Sequence, residues 1–183
     1  VASAIRFGGI VLPYRVLLTA ALIASPTALA QTVAGERWPV PDVTPPSTEL
    51  ALELHVTLSP AVQVGPSDGG TRRFIPITGG RFSGTGLKGE VMAGGADWQL
   101  VRPDGVTEVN ALYSIKTDDG TVIVVDNRGI IVPGSTGFGY VRTNPRFHAP
   151  QGKYDWLNKT MFVGTISPSP QGGAVIIRAF KVL

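Results

Sequence analysis

Cysteine is absent from the 183 residues. That absence removes disulfides, thiol nucleophiles and Cys-ligated metals together, so the chain must hold itself by its core alone. Histidine is nearly absent too. His55 and His148 stand far apart, and neither has carboxylates at a metal-ligand spacing. No Gly-x-Ser-x-Gly stretch occurs, so a nucleophile elbow is unsupported. Charged residues make up 16% of the chain and no basic run exceeds the Arg72-Arg73 pair, which leaves no electrostatic footprint for nucleic acid. Helical periodicity is missing as well. Only Tyr154 to Lys159 (YDWLNK) reads as helical, for about one turn.

What is present begins with a leader. Arg6 and Arg15 precede an uncharged apolar run, Val16 to Ala24, which Ser25-Pro26 breaks. Ala28-Leu29-Ala30 then has the small-residue pattern of a signal-peptidase site. The run is shorter than the roughly 20 apolar residues of a membrane span. Residues 1–30 are therefore expected to be a signal peptide, the product to be periplasmic or extracellular, and no membrane association to survive cleavage. Loss of the two leader arginines lowers the formal charge from +3 to +1. Residues 31–48, proline-rich and without apolar periodicity, read as a linker.

From residue 49 to residue 183 the apolar period is two. Leu50, Leu52, Leu54, Val56 and Leu58 alternate with Ala51, Glu53, His55 and Thr57, as in a half-buried strand. Arg72 to Ile77, Leu87 to Met92, Asp97 to Arg102, Val106 to Thr117 and Thr121 to Ile131 follow. Tyr140 to Arg142, Thr160 to Ile166 and Ala174 to Val182 complete the set. Pro76 points to an edge or a bulge in its strand. The Asp104-Gly105 and Asp119-Gly120 pairs mark hairpins, because glycine supplies the positive φ those turns require. Gly84-Thr-Gly86-Leu-Lys-Gly89 spells a dinucleotide fingerprint, but strands flank it, so the glycines read as bends rather than a phosphate cradle. Many short strands with 23 glycines and 15 prolines predict one all-β domain with little helix, a single antiparallel β-barrel of eight or more strands. The last strand is apolar on both faces, and an outer apolar face makes a homo-oligomer plausible.

Residues 94–105, GGADWQLVRPDG, set a carboxylate beside an indole at a strand entrance. Asp104, Asp118 and Asp119 are accounted for by turn geometry. Asp97 falls outside a turn loop and is a candidate buried carboxylate, either structural or a general acid or base. Arg178 shares a face with Ile176 and Phe180, so either that face opens to a polar rim or Arg178 finds a carboxylate, for which Asp97 is one candidate. His55, on the polar face of its strand, reads as solvated. The Tyr154 to Asn158 segment reads as a plug at one barrel end.

Four stretches carry a family resemblance: TRRFIPITGGRFSGTGLKGEV, GGADWQLVRPDGV, LYSIKTDDGTVIVVDNRG and YVRTNPRFHAPQGKYDWLNKTMFVGT. In this order, and with the C-terminal VIIRAFKV, they resemble the DUF3237 family of bacterial and fungal proteins. The resemblance implies a compact up-and-down barrel similar in outline to the allene oxide cyclase and dirigent folds. Some fungal members resemble isomerases that close a flavonoid ring. One departure is visible: where the family pattern reads Arg-Tyr, this chain reads Leu112-Tyr113. The matching positions imply that Asp97, Trp98, Arg72, Tyr140, Arg142 and Trp156 line or close a pocket.

These observations lead first to an exported barrel that binds a small apolar or aromatic molecule in its interior. The alternative is a cofactor-free isomerase or cyclase of a phenolic or enone substrate. In that case Asp97 exchanges the proton, Tyr140 or an arginine stabilises the developing oxyanion, and Trp98 stacks on the ring, with Arg72, Arg142 and Trp156 as further ligand contacts. A third reading is a structural oligomer with a packed lumen. No metal or cofactor is expected.

Overall fold

The computed structural model describes residues 44–135 and 137–183. The leader and the linker as far as residue 43 lie outside the described residues, and the first strand starts at Thr48, inside the expected linker. The strands are β1 (Thr48–Leu58), β2 (Val62–Ser67), β3 (Gly70–Gly84), β4 (Leu87–Val91) and β5 (Ala96–Val101), then β6 (Thr107–Thr117), β7 (Val122–Pro133), β8 (Phe138–His148), β9 (Phe162–Pro168) and β10 (Ala174–Val182). A 3-10 turn, Asp155–Lys159, separates β8 from β9.

Every recorded ladder is antiparallel, and β1 pairs with both β10 and β3, which closes the sheet. Ten strands give eight staves because two staves are broken. β1 and β2 run successively along β3, Leu52 to Leu58 against Gly84 to Ile77 and then Val62 to Ser67 against Phe74 to Gly70. In the same way β4 and β5 run successively between β3 and β6. The segment expected as a short strand from Arg72 is therefore the middle of a 15-residue strand. Pro76, which has no N–H to offer, lies opposite the interruption between β1 and β2, next to the register shift at Thr57/Leu58.

Closure needs backbones to approach closely. A Cβ on Gly80 would collide with the carbonyl of His55, and one on Gly84 with that of Ala51, so β1 and β3 can cross tightly only over glycine. Gly84 to Gly89 is a β3–β4 hairpin in which Gly86 takes a φ of 74°, as expected of a bend.

Inward positions follow the period of two. Leu52, Leu54, Ile115, Ile123 and Phe162 are almost fully buried. The 3-10 turn caps one end of the barrel: Leu157 is 1% exposed, Tyr154 is buried, and Trp156 packs at 6.2 Å on the ring of Phe162, which meets Phe147 edge-on at 5.0 Å. Tyr154 Oη also donates to Asp119 at 2.8 Å, as do Lys153 Nζ at 2.9 Å and Thr117 Oγ1 at 2.5 Å. Asp119 thus does more than shape its turn. It ties the β6–β7 turn to the plug.

Candidate functional site in the barrel lumen

At the end opposite the plug the lumen is hollow. A cavity of about 80 Å³ lies among side chains of β1, β3 and β5 to β10. One water-sized sphere needs about 10–15 Å³, so the space exceeds a packing defect. Phe138 lines the cavity and is 42% exposed, marking the side on which it reaches solvent.

Strand alternation decides which side chains enter. On β5, Asp97 and Gln99 point inward and Trp98 points outward. Asp97 Oδ1 accepts the Asn110 N–H at 3.0 Å, and Oδ2 accepts Gln99 Nε2 at 2.5 Å. Gln99 is held in turn by Arg73 Nε, which donates to its Oε1 at 2.7 Å. The arginine fixes the amide so that its NH₂ faces Asp97. Burial pushes the Asp97 carboxyl above the usual range of aspartate, against the opposing pull of Gln99, the Asn110 N–H and the Arg73 charge.

Tyr113 and Asn127 share this wall. Ala111 pairs with Asp97 on one side and with Asn127 on the other, and Tyr113 is the next inward residue of β6. Tyr113 Oη and Asn127 Oδ1 are buried and have no hydrogen-bond partner among the described residues. Burial, then the nearby Asp97 charge, raises the Tyr113 phenol further, so it remains a neutral donor. Thr143 Oγ1, inward on β8, is likewise unpartnered among the described residues. A buried hydroxyl without a partner costs about 1–3 kcal/mol. Tyr113 Oη and Asn127 Oδ1 place two unpartnered polar atoms on the cavity wall, a cost that core packing alone does not explain.

Of the six residues singled out in the sequence, the structure brings only Asp97 into the lumen. Trp98, 51% exposed, stacks on Phe74 at 4.7 Å on the outer surface. Tyr140 is 52% exposed and lies under the Arg142 guanidinium at 5.0 Å, also outside, and Arg72 is exposed. Trp156 belongs to the plug. The expected pocket edge of Trp98, Tyr140, Arg72 and Arg142 is corrected here: even-numbered neighbours of inward odd-numbered residues must face away from the lumen. Nor does Arg178 pair with Asp97. Its Nε donates to Glu53 Oε2 at 2.7 Å across the β1–β10 ladder. His55 shares the other Glu53 oxygen at 3.2 Å, and this contact, ahead of Arg178, holds the Glu53 carboxyl below its ordinary value. Tyr113, Asn127 and Gln99 were missed as site residues. The available signal was the run of inward positions Val109, Ala111, Tyr113 and Ile115, in which a tyrosine takes an aliphatic place.

Among the described residues no group of three or more His, Asp or Glu side chains is placed to hold a metal ion. The chemistry the wall offers is a carboxyl poised toward neutrality, a neutral phenol and an amide, in an apolar space.

Known proteins share this architecture. A UPF0311 protein of Rhodopseudomonas palustris is 33% identical over 149 residues, which span 74% of this chain and 96% of the relative. The crystal structure of a beta-barrel like protein from Acinetobacter baumannii superposes with a TM-score of 0.71 at 32% identity, covering 78% of this chain and 99% of that one. A hydroalkoxylation enzyme of Penicillium herquei is 31% identical over 143 residues, 78% of this chain and 86% of the enzyme. The family model described as "Protein of unknown function (DUF3237)" matches residues 46–182, and the chain belongs to that family.

Proposed function

We propose that the barrel lumen binds a small, largely apolar molecule that enters beside Phe138. The observation that supports this most directly is the hollow lumen itself, with apolar side chains around a few inward polar groups. Filling it is the test. Ala111→Phe adds a ring inside the cavity. The expected result is loss of toluene binding, read by NMR shifts of the cavity methyls, with the far-UV circular dichroism unchanged. Toluene shifts that persist in the filled variant would place binding elsewhere.

A second reading is favoured by Asp97: the site carries out a cofactor-free intramolecular addition or cyclisation. The Penicillium herquei relative is named for hydroalkoxylation, the addition of an O–H across a C=C bond. In such a reaction one carbon gains a proton as the hydroxyl oxygen loses one. A carboxyl whose ionisation is made costly by burial can give the first and receive the second, and ends as it began. Asp97→Asn is expected to abolish turnover of a hydroxyl-bearing alkene by at least about 100-fold while leaving its affinity within a few-fold. Retained turnover would leave the binding reading alone.

The n-h-c pattern of the first thirty residues supports an exported location, which fractionation of the tagged full chain checks. Half-exposed Trp98, Leu112 and Tyr140 support self-association on the outer surface, which sedimentation velocity checks.

A further inference from the structure

The lumen is polar on one side only. Among the described residues, the polar side chains lining the cavity, Asp97, Gln99, Tyr113 and Asn127, come from the contiguous staves β5, β6 and β7. Facing them, β1, β9 and β10 contribute Val56, Leu58, Ile166, Val175 and Ile177, with no polar group. On the polar side two groups are already committed: Gln99 is clamped between Arg73 and Asp97, and each Asp97 oxygen accepts one hydrogen bond. Tyr113 Oη and the Asn127 amide are uncommitted among the described residues. Tyr113 is 3% and Asn127 1% exposed, and they occupy diagonal inward positions on paired strands.

Resting on the lumen-binding reading, we infer that the ligand is an uncharged molecule of the hydroxy- or dihydroxy-arene class, with two oxygens on one edge held by Tyr113 and Asn127 and a hydrocarbon edge against β1, β9 and β10. The Asn127 amide accepts through Oδ1 and donates through Nδ2, so the ligand oxygen beside it is a hydroxyl or a carbonyl. The Tyr113 hydroxyl both donates and accepts, so the second is a hydroxyl or a carbonyl. A ligand whose second oxygen lies on the far edge must bury it against aliphatic side chains with no partner, which costs affinity. An anion is disfavoured by a site that already resists ionisation of Asp97.

Three isomers of one composition test the one-edged arrangement. Catechol and resorcinol place both oxygens on one side of the ring, whereas hydroquinone places them on opposite sides. Binding to the full barrel is titrated by NMR, following the methyls of Val56, Ile166 and Val175 so that the lumen itself reports. Catechol or resorcinol is expected to bind at least about tenfold more tightly than hydroquinone, the loss of one buried hydrogen bond being worth about that factor. In Tyr113→Phe combined with Asn127→Leu the preference is expected to disappear while toluene affinity holds or improves. Both substitutions remove unpartnered polar atoms, so the variant is expected to fold. A wild-type protein that binds the three isomers and toluene alike would overturn the inference and leave the lumen-binding reading standing. If none of the four ligands shifts the lumen methyls, both fall.

Discussion

Tyr113 holds a phenol where an aliphatic side chain would pack without penalty. Its hydroxyl is buried and unpartnered among the described residues, although the neighbouring inward residues Ile115 and Val125 are wholly apolar. Removing the oxygen removes the penalty. Tyr113→Phe is expected to stabilise the barrel by about 1 kcal/mol, measured by urea denaturation with an unchanged m-value, and to weaken oxygen-bearing ligands. Stability gained with binding lost is the signature of a functional group rather than a structural one. Asp97 makes a second prediction at this scale. Gln99 opposes the effect of burial by donating to the carboxylate, so Gln99→Leu is expected to raise the Asp97 pKa further. A ¹³C titration of the Asp97 carboxyl checks it. A midpoint moving downward would mean that Gln99 does not act on the charged form.

Among the elements, the plug is the most exacting. It has one buried anchor, Leu157, and a polar tether through Asp119 to Lys153 and Tyr154. Leu157→Ala is expected to cost 2–5 kcal/mol, the range for emptying a buried leucine site, and differential scanning calorimetry reads the loss. The tether carries its own pH dependence. The Thr117 hydroxyl, then Lys153 and Tyr154, hold the Asp119 carboxyl well below the usual carboxylate range. A depressed folded-state pKa stabilises above the unfolded value, near 3.9, and that stability fades as the pH falls through the folded value. The Tm difference between the native chain and Asp119→Asn is therefore expected to be constant from pH 7 to pH 5 and to shrink below pH 4. A difference independent of pH down to 2 would show that the charge of Asp119 contributes nothing.

For the whole molecule, closure is uneven. β6–β7 and β7–β8 are each paired over ten positions, whereas β8–β9 has a single ladder pair, Thr143 with Gly164, supplemented by Asn144 Nδ2 donating to the Phe162 carbonyl at 2.8 Å. The β8–β9 seam is the place where the cylinder opens most easily, and it borders the cavity through Ile166 and Phe138. Amide hydrogen exchange is expected to be faster in β9 than in β6 and β7, and a lumen ligand is expected to slow β9 most. Equal protection around the barrel would mean that it opens only as a unit.

The sequence alone was enough for the class of fold and most strand positions, because a side chain's face is set by the parity of its position and hairpins are announced by Asp-Gly pairs. It also marked the plug, where Tyr154 and Leu157 interrupt the alternation, and it marked Asp97 as a carboxyl to explain. It could not say that β1–β2 and β4–β5 are single broken staves, since breaks at Ser59 to Ala61 and Met92 to Gly95 look like ordinary turns until β3 runs past both. It misjudged Trp98, Tyr140, Arg72 and Arg142 because proximity in the chain stood in for proximity in space, while a strand sends adjacent residues to opposite faces. Which face is the lumen, and that Tyr113, Asn127 and Gln99 meet Asp97 there, was decided only when β3 and β1 paired and the sheet closed. Until that closure each strand has two equivalent sides, and nothing local distinguishes the inside of a cylinder from its outside.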